Sequence, residues 1–109
     1  MSSVQKFWLD KLHGGVLKKY PDDEEWEDVG TTDLYDQYTD QAKSMGDRYT
    51  LSAIQFGKEL SNMCPGKERK RLKKPYGREW TYVFPDLETC RKAFEAFIGQ
   101  EIDWEVGVS

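Results

Sequence analysis

Residues 67–78 contain the densest cluster of basic side chains in this sequence, and these side chains could bind an anionic ligand. Seven of the sixteen Lys and Arg residues fall in this segment, although the whole chain has a formal net charge of −4. Like charges in one stretch repel each other, and the usual ligand that offsets this repulsion is a polyanion such as nucleic acid. The basic residues of this segment are Lys67, Arg69, Lys70, Arg71, Lys73, Lys74 and Arg78.

The sequence offers no comparable set of residues for catalysis or metal binding. It contains one His and two Cys, without a Cys-x-x-Cys pair, so no zinc site is expected. It also lacks the Gly-x-x-x-x-Gly-Lys phosphate-binding loop of nucleotide hydrolases. We therefore expect a non-enzymatic domain with no cofactor.

Length and composition predict a single folded domain over residues 1–109. The chain is 38% hydrophobic and 14% aromatic, and large aromatic side chains can build a small core. No apolar run approaches the roughly 20 residues that cross a bilayer, and the N-terminus lacks a signal-peptide pattern. With so few cysteines, the simplest expectation is a cytoplasmic protein with no membrane partner.

The second and third helices are predicted from their capping residues. Thr31 or Thr32 is the expected N-cap of the second helix. Ser52 opens the third helix, with Gln55 in the partner position of a capping box. Ile54 is expected among the apolar contacts of this third helix.

Glycine and aspartate residues bound the two outer helices. The first helix is expected to end at Gly14-Gly15, and a C-terminal helix to run from an Asp86 cap to Gly99. Residues 48–50 are expected to form only a brief extended bridge. After the C-terminal helix, the alternating apolar residues up to Val106 predict a short final strand or latch. Residues 86–106 are therefore expected to add a helix and a short strand to the rest of the fold.

The basic segment is predicted to form the first strand of a β-hairpin. It turns at residues 75–77 and returns through residues 79–84, whose aromatic and β-branched content is typical of a strand. Trp80 and Tyr82 alternate in this returning strand; they could stack on nucleic-acid bases, as aromatic residues do in proteins that bind single strands, but they are expected to face the core. Tyr76, in the turn, is the better candidate for stacking on a base.

The order of predicted elements indicates a fold class and a mode of binding. Helix, short connection, helix, turn, helix and basic hairpin is the order of an α+β winged helix-turn-helix, with a three-helix core, a hairpin wing and an additional C-terminal helix. In this architecture the third helix enters a DNA groove while the wing follows the phosphates. The expected site residues are Gln55, Lys58 and Asn62 on the helix, and Lys70, Arg71, Lys73, Lys74, Tyr76 and Arg78 on the hairpin.

The alternation of side chains along a strand limits how many of the basic residues can contact phosphates at the same time. About half of them point to each face, so three or four are expected to contact phosphates at once. For duplex DNA this predicts a slope of roughly −3 to −4 for the logarithm of affinity against the logarithm of salt concentration. Such a slope implies weak binding by the isolated domain.

Three segments also resemble a known protein module. Val29–Tyr38, Leu51–Leu60 and the Lys70-Arg71 pair before a Gly-containing hairpin resemble the C-terminal winged-helix domain of bacteriophage, plasmid and large-DNA-virus primase-helicases. The resemblance covers about residues 26–84. In that family the domain follows a superfamily-3 helicase and is associated with origin or template DNA.

The resemblance implies a role in DNA replication inside a bacterial or phage-infected host cell. It implies DNA, duplex or single-stranded, as one partner and a helicase or primase core or another replication protein as a second. This chain lacks the helicase phosphate-binding loop and the primase carboxylates. It is therefore expected to be either a module of a larger protein or a free-standing relative.

The acidic part of the sequence supports an alternative function. Residues 22–47 contain ten Asp or Glu residues but only Lys43 as a base, so DNA contact is expected on one side of the domain. The alternative is a winged-helix protein-interaction module, or a free-standing replication accessory, that docks through this acidic face. The acidic loop 22–28 lacks the glycine of a calcium loop. The basic segment has three other interpretations: a solvated surface, a patch that docks an acidic protein, or basic residues that protect a strand edge from aggregation.

Overall fold

A computed structural model describes residues 2–20 and 25–105, and this part of the chain forms a mixed α+β fold. It contains four helices and a three-stranded antiparallel sheet with the strand order β1-β3-β2. No helix in these residues is long and apolar enough to cross a membrane. The elements are α1 (Ser3–Gly14), β1 (Val29–Gly30), α2 (Thr31–Ser44), α3 (Ala53–Met63), β2 (Glu68–Lys74), β3 (Gly77–Val83) and α4 (Leu87–Ile98).

Local capping signals set the ends of most helices, as predicted. The Ser52 hydroxyl accepts the Gln55 N–H at 3.2 Å, and the Gln55 side chain accepts the Ser52 N–H at 3.2 Å. Asp86 caps α4, and α1 and α4 end where Gly15 and Gly99 adopt the left-handed conformation. These interactions satisfy backbone groups that a helix end would otherwise leave unpaired.

The predicted start of α2 is wrong by one residue. Its N-cap is Gly30, without a side-chain cap, and Thr31 is already helical. Gly30 pairs with Thr81 as the last residue of β1, so the chain passes directly from strand to helix. Residues 48–50 belong to no helix or strand and connect α2 to α3.

Aromatic packing between the first three helices forms the centre of the core. Phe56 of α3 stacks on Tyr38 of α2, with ring centroids 4.8 Å apart, and Phe7 of α1 meets Phe56 at 5.9 Å. Ile54 does not belong to this cluster because it lies in the first turn of α3 and is 73% exposed. The prediction of a buried Ile54 is therefore wrong.

The C-terminal segment was predicted as a short strand or latch, and its described part packs on the helices as a turn and not as a strand. Residues 101–105 form no strand, and Val106 lies outside the described residues. The Trp104 ring lies 4.9 Å from His13, and its indole N–H donates to Glu95 at 2.9 Å. The alternating apolar pattern here reflects contact with α1 and α4 and not with a sheet edge.

The acidic loop between α1 and β1 is described only in part. Residues 21–24 lie outside the described residues, so the predicted acidic loop 22–28 is described from Glu25 onward. Trp26 donates its indole N–H to the Pro85 carbonyl oxygen at 2.9 Å. This contact ties the segment before β1 to the start of α4.

Candidate nucleic-acid interface

The basic segment forms the predicted β-hairpin, and its register assigns each side chain to one of two faces. Pro75 and Tyr76 make a two-residue loop between Lys74 and Gly77, whose φ of +130° favours glycine. Directly paired residues of antiparallel strands share a face. One face carries Arg69, Arg71, Lys73, Arg78, Trp80 and Tyr82; it is called the groove-side face because Arg69 and Tyr82 line a groove beside α3. The opposite face carries Glu68, Lys70, Leu72, Lys74, Glu79, Thr81 and Val83.

Tyr82 and Lys67 hold the groove-side face against α3. A Cβ atom on Gly57 would lie 3.1 Å from the Tyr82 hydroxyl, so the glycine permits this close approach. The Lys67 ammonium lies 4.5 Å from the centre of the Tyr82 ring and donates to the Gly57 carbonyl oxygen at 3.1 Å. The base of the hairpin is therefore fixed to the middle of α3.

The turn between α2 and α3 fixes the other side of the site. The Tyr35 hydroxyl donates to the Leu51 carbonyl oxygen at 2.7 Å, and the Leu51 N–H donates to the Tyr38 hydroxyl at 3.0 Å. Both tyrosines belong to α2, whereas Leu51 directly precedes the α3 cap. These bonds orient α3 relative to α2 and the hairpin.

An open groove of about 430 Å³ lies between α3, the start of α2 and the base of the hairpin. Its lining contains three cationic side chains, from Lys58, Lys67 and Arg69, and no carboxylate among the described residues. Hydroxyl groups of Thr31 and Ser61 add hydrogen-bonding capacity. This combination suits an anionic ligand with polar edges.

Electrostatics in the groove favour the entry of negative charge. Burial lowers the pKa of Lys67, and the nearby Arg69 charge lowers it further. Burial also raises the pKa of the Tyr82 hydroxyl, which stays neutral against Gly57. A phosphate near Lys67 would offset the repulsion between the two cations.

The opposite face of the hairpin is neutralised by its own carboxylates. Lys70 forms an ion pair with Glu68 at 3.0 Å. The Tyr76 hydroxyl donates to the Glu79 carboxylate at 2.6 Å, and this hydrogen bond raises the pKa of Tyr76. By contrast, no ion pair within the described residues involves Arg69, Arg71, Lys73 or Arg78.

The predicted site residues do not all share one surface. Of the residues predicted on α3, only Lys58 lines the groove. Gln55 and Asn62 are exposed on another side of the helix, and the Gln55 oxygen is already engaged in the cap. On the hairpin, Arg71, Lys73 and Arg78 share the groove-side face, whereas Lys70, Lys74 and the Tyr76 hydroxyl lie toward the opposite face.

Trp80 is more exposed than predicted. It is 44% exposed, while Tyr82 on the same face is 5% exposed, so the prediction of a core position is wrong for Trp80 alone. Tyr82 lies at the base of the hairpin against α3, and Trp80 lies two residues nearer the tip. The hairpin extends beyond the helices between these two residues.

Sequence reasoning also left out residues that help to form the site. Arg69 is one of the seven basic residues of the segment but is not among the predicted contacts to DNA, and Thr31 is predicted only as a helix cap. The hairpin register contains the signal for Arg69, because Arg69 pairs with Tyr82 and must share its face. No local sequence signal brings Thr31 to the groove, since that depends on how α2 packs beside the sheet.

Comparison with protein-family models, with curated proteins and with solved structures gave no match for this chain. Within the described residues, no group of three or more His, Cys, Asp or Glu side chains could hold a metal ion.

Proposed function

We propose that this chain is a DNA-binding domain of the winged-helix type, belonging to a phage- or virus-type replication protein. The element order α1-β1-α2-α3-β2-β3 and the sheet order β1-β3-β2 support a wing formed by the β2–β3 hairpin. The sequence resemblance over residues 26–84 supports the role in replication. In this proposal the hairpin contacts phosphates and α3 contacts a DNA groove.

The observation that carries the proposal is the charge of the groove-side face. Four basic side chains on one side of a two-stranded hairpin have no ion-pair partner among the described residues, and the groove beside them is lined by cations without carboxylates. Clustered, unpaired Lys and Arg residues raise the local concentration of polyanions. Phosphate contacts of this kind supply most of the affinity for DNA.

The side of α3 that borders the groove supplies a second set of contacts. Lys58 and Ser61 line the groove and can hydrogen-bond to base edges or phosphates. Gln55 and Asn62 are exposed on the neighbouring side of the same helix. They are within the proposed interface only if α3 lies lengthwise in a DNA groove.

The proposal predicts salt-dependent binding of the full 109-residue chain to a labelled DNA duplex. Three or four phosphate contacts give a slope of about −3 to −4 in a plot of log affinity against log salt concentration. Fluorescence anisotropy across a salt series measures this slope. Absence of binding at about 50 mM salt, where electrostatic attraction is strong, would contradict the proposal and leave the acidic face as the docking surface of a protein-interaction module.

A further inference from the structure

Trp80 is a large aromatic side chain that the fold leaves open in the middle of the groove-side face. Trp80 is 44% exposed, whereas Tyr82, two residues away on the same face, is 5% exposed. The Arg69 guanidinium carbon lies 4.2 Å from the ring centre, and Arg71 is the direct cross-strand partner of Trp80. The indole therefore has solvent access and cationic neighbours from the adjacent strand.

We infer that Trp80 stacks on an unpaired base, so that the ligand of the groove-side face contains single-stranded nucleic acid. This inference rests on the proposed function and specifies the form of DNA that the domain binds. Proteins that bind single strands combine aromatic rings, on which bases stack, with cations that contact the backbone. In a duplex each base is paired and stacked, and it must be extruded before a protein ring can reach its face.

The spacing along β3 leaves room for one phosphate contact and one base contact on the same face. Arg78 and Trp80 are two residues apart on the same face, which corresponds to about 6.8 Å along a β-strand. A single strand pulled out along the hairpin can place a phosphate at Arg78 and the adjacent base on Trp80.

The surroundings of Trp80 favour a nucleic acid over an acidic peptide. Cations alone would attract either ligand, but carboxylates make no use of an exposed indole face. Ile54, 73% exposed, lies beside Lys58 in the groove and adds a second apolar contact next to a cation. Alternating apolar and cationic groups match a ligand in which flat bases alternate with phosphates.

The test compares a strand that has bases with one that lacks them. The full chain is titrated with labelled oligothymidine of about 12 nucleotides, with an abasic strand of the same length and with a blunt duplex, all at one salt concentration. Wild-type protein is expected to bind oligothymidine about tenfold more tightly than the abasic strand, because loss of stacking on one base costs about this factor. This comparison needs no variant and is unaffected by any folding defect.

Variants test whether Trp80 accounts for the difference in affinity between oligothymidine and the abasic strand. Trp80→Leu is expected to weaken oligothymidine binding about tenfold and to leave abasic-strand binding within about twofold, whereas Trp80→Phe retains most of the difference. Tyr49→Leu is the matched control, since Tyr49 is 89% exposed but lies outside the groove lining and the hairpin. It is expected to bind like wild type.

The possible outcomes separate this inference from the proposed function. Equal affinity of wild type for oligothymidine and the abasic strand, or equal losses for both with Trp80→Leu, overturns base stacking while leaving phosphate-driven binding intact. Tighter binding to the duplex than to oligothymidine also overturns the inference. Failure to bind any of the three nucleic acids, together with binding of a poly-glutamate peptide, overturns both proposals.

Discussion

Replacing Arg71 and Lys73 together by Ala is expected to lower the affinity for DNA by about fiftyfold at about 0.1 M salt. Each lost phosphate contact removes about one unit of the salt slope, so the slope should become less negative by about 2. Both residues lie on the groove-side face and form no ion pair within the described residues. Their loss therefore removes ligand contacts and little folding energy.

The matched control comes from the same strand. Lys70→Ala with Lys74→Ala removes the same charge from the same strand, but on the opposite face, where Lys70 already pairs with Glu68. Affinity is expected to fall by no more than about threefold, because only screened long-range attraction is lost. If the two double variants weaken binding equally, net charge and not the groove-side face determines binding.

Phe56→Ala is expected to destabilise the fold by about 3–5 kcal/mol. The Phe56 ring is fully buried and contacts rings from α1 and α2, including Tyr38 at 4.8 Å and Phe7 at 5.9 Å. A loss of this size removes a large part of the stability typical of small domains, which is about 5–15 kcal/mol. Urea unfolding followed by circular dichroism measures the change.

Ile54→Ala is the control for this prediction, two residues earlier on the same helix. Ile54 is 73% exposed, so the change in unfolding free energy is expected to stay within about 0.5 kcal/mol. A cost for Ile54→Ala comparable with that of Phe56→Ala would mean that α3 is rotated relative to the arrangement described. The groove lining would then be wrong as well.

Local chemistry made much of the fold predictable. The Ser52–Gln55 capping box, the Asp86 cap and the Gly99 helix end depend on residues within a few positions of one another. The hairpin was also predictable, since a turn at residues 75–77 separates two strand-like segments. In each case the sequence pattern and the contact it predicts lie in the same short segment.

The errors arise where the outcome depends on how distant elements pack. Trp80 and Tyr82 have the same alternation, but only Tyr82 lies where α3 covers the hairpin. The apolar residues near Trp104 pack on helices, because Trp104 meets His13 and Glu95 and not a strand. The spacing of apolar residues predicts which residues share one face of an element, but it does not predict which other element covers that face.

In the candidate site too, the local sequence pattern was informative, whereas the packing of distant elements was not predictable. The basic cluster was evident from composition, but Lys70 and Arg71 are neighbours in sequence and lie on different faces of the hairpin. Only the register of the strands, together with the contact between Tyr82 and Gly57, shows which face adjoins the groove. The sequence therefore predicted a binding segment, and the structure was needed to choose its surface.

Amide NMR spectra of the isotope-labelled chain, recorded during titration with a DNA strand, test the central claim most directly. The account predicts the largest shifts at Lys58, Arg69, Arg71 and the Trp80 indole N–H, which surround one groove and hairpin face. The exposed acidic residue Asp36 of α2 should remain unshifted. Largest shifts on the opposite hairpin face or along the acidic side of α2 would contradict the account.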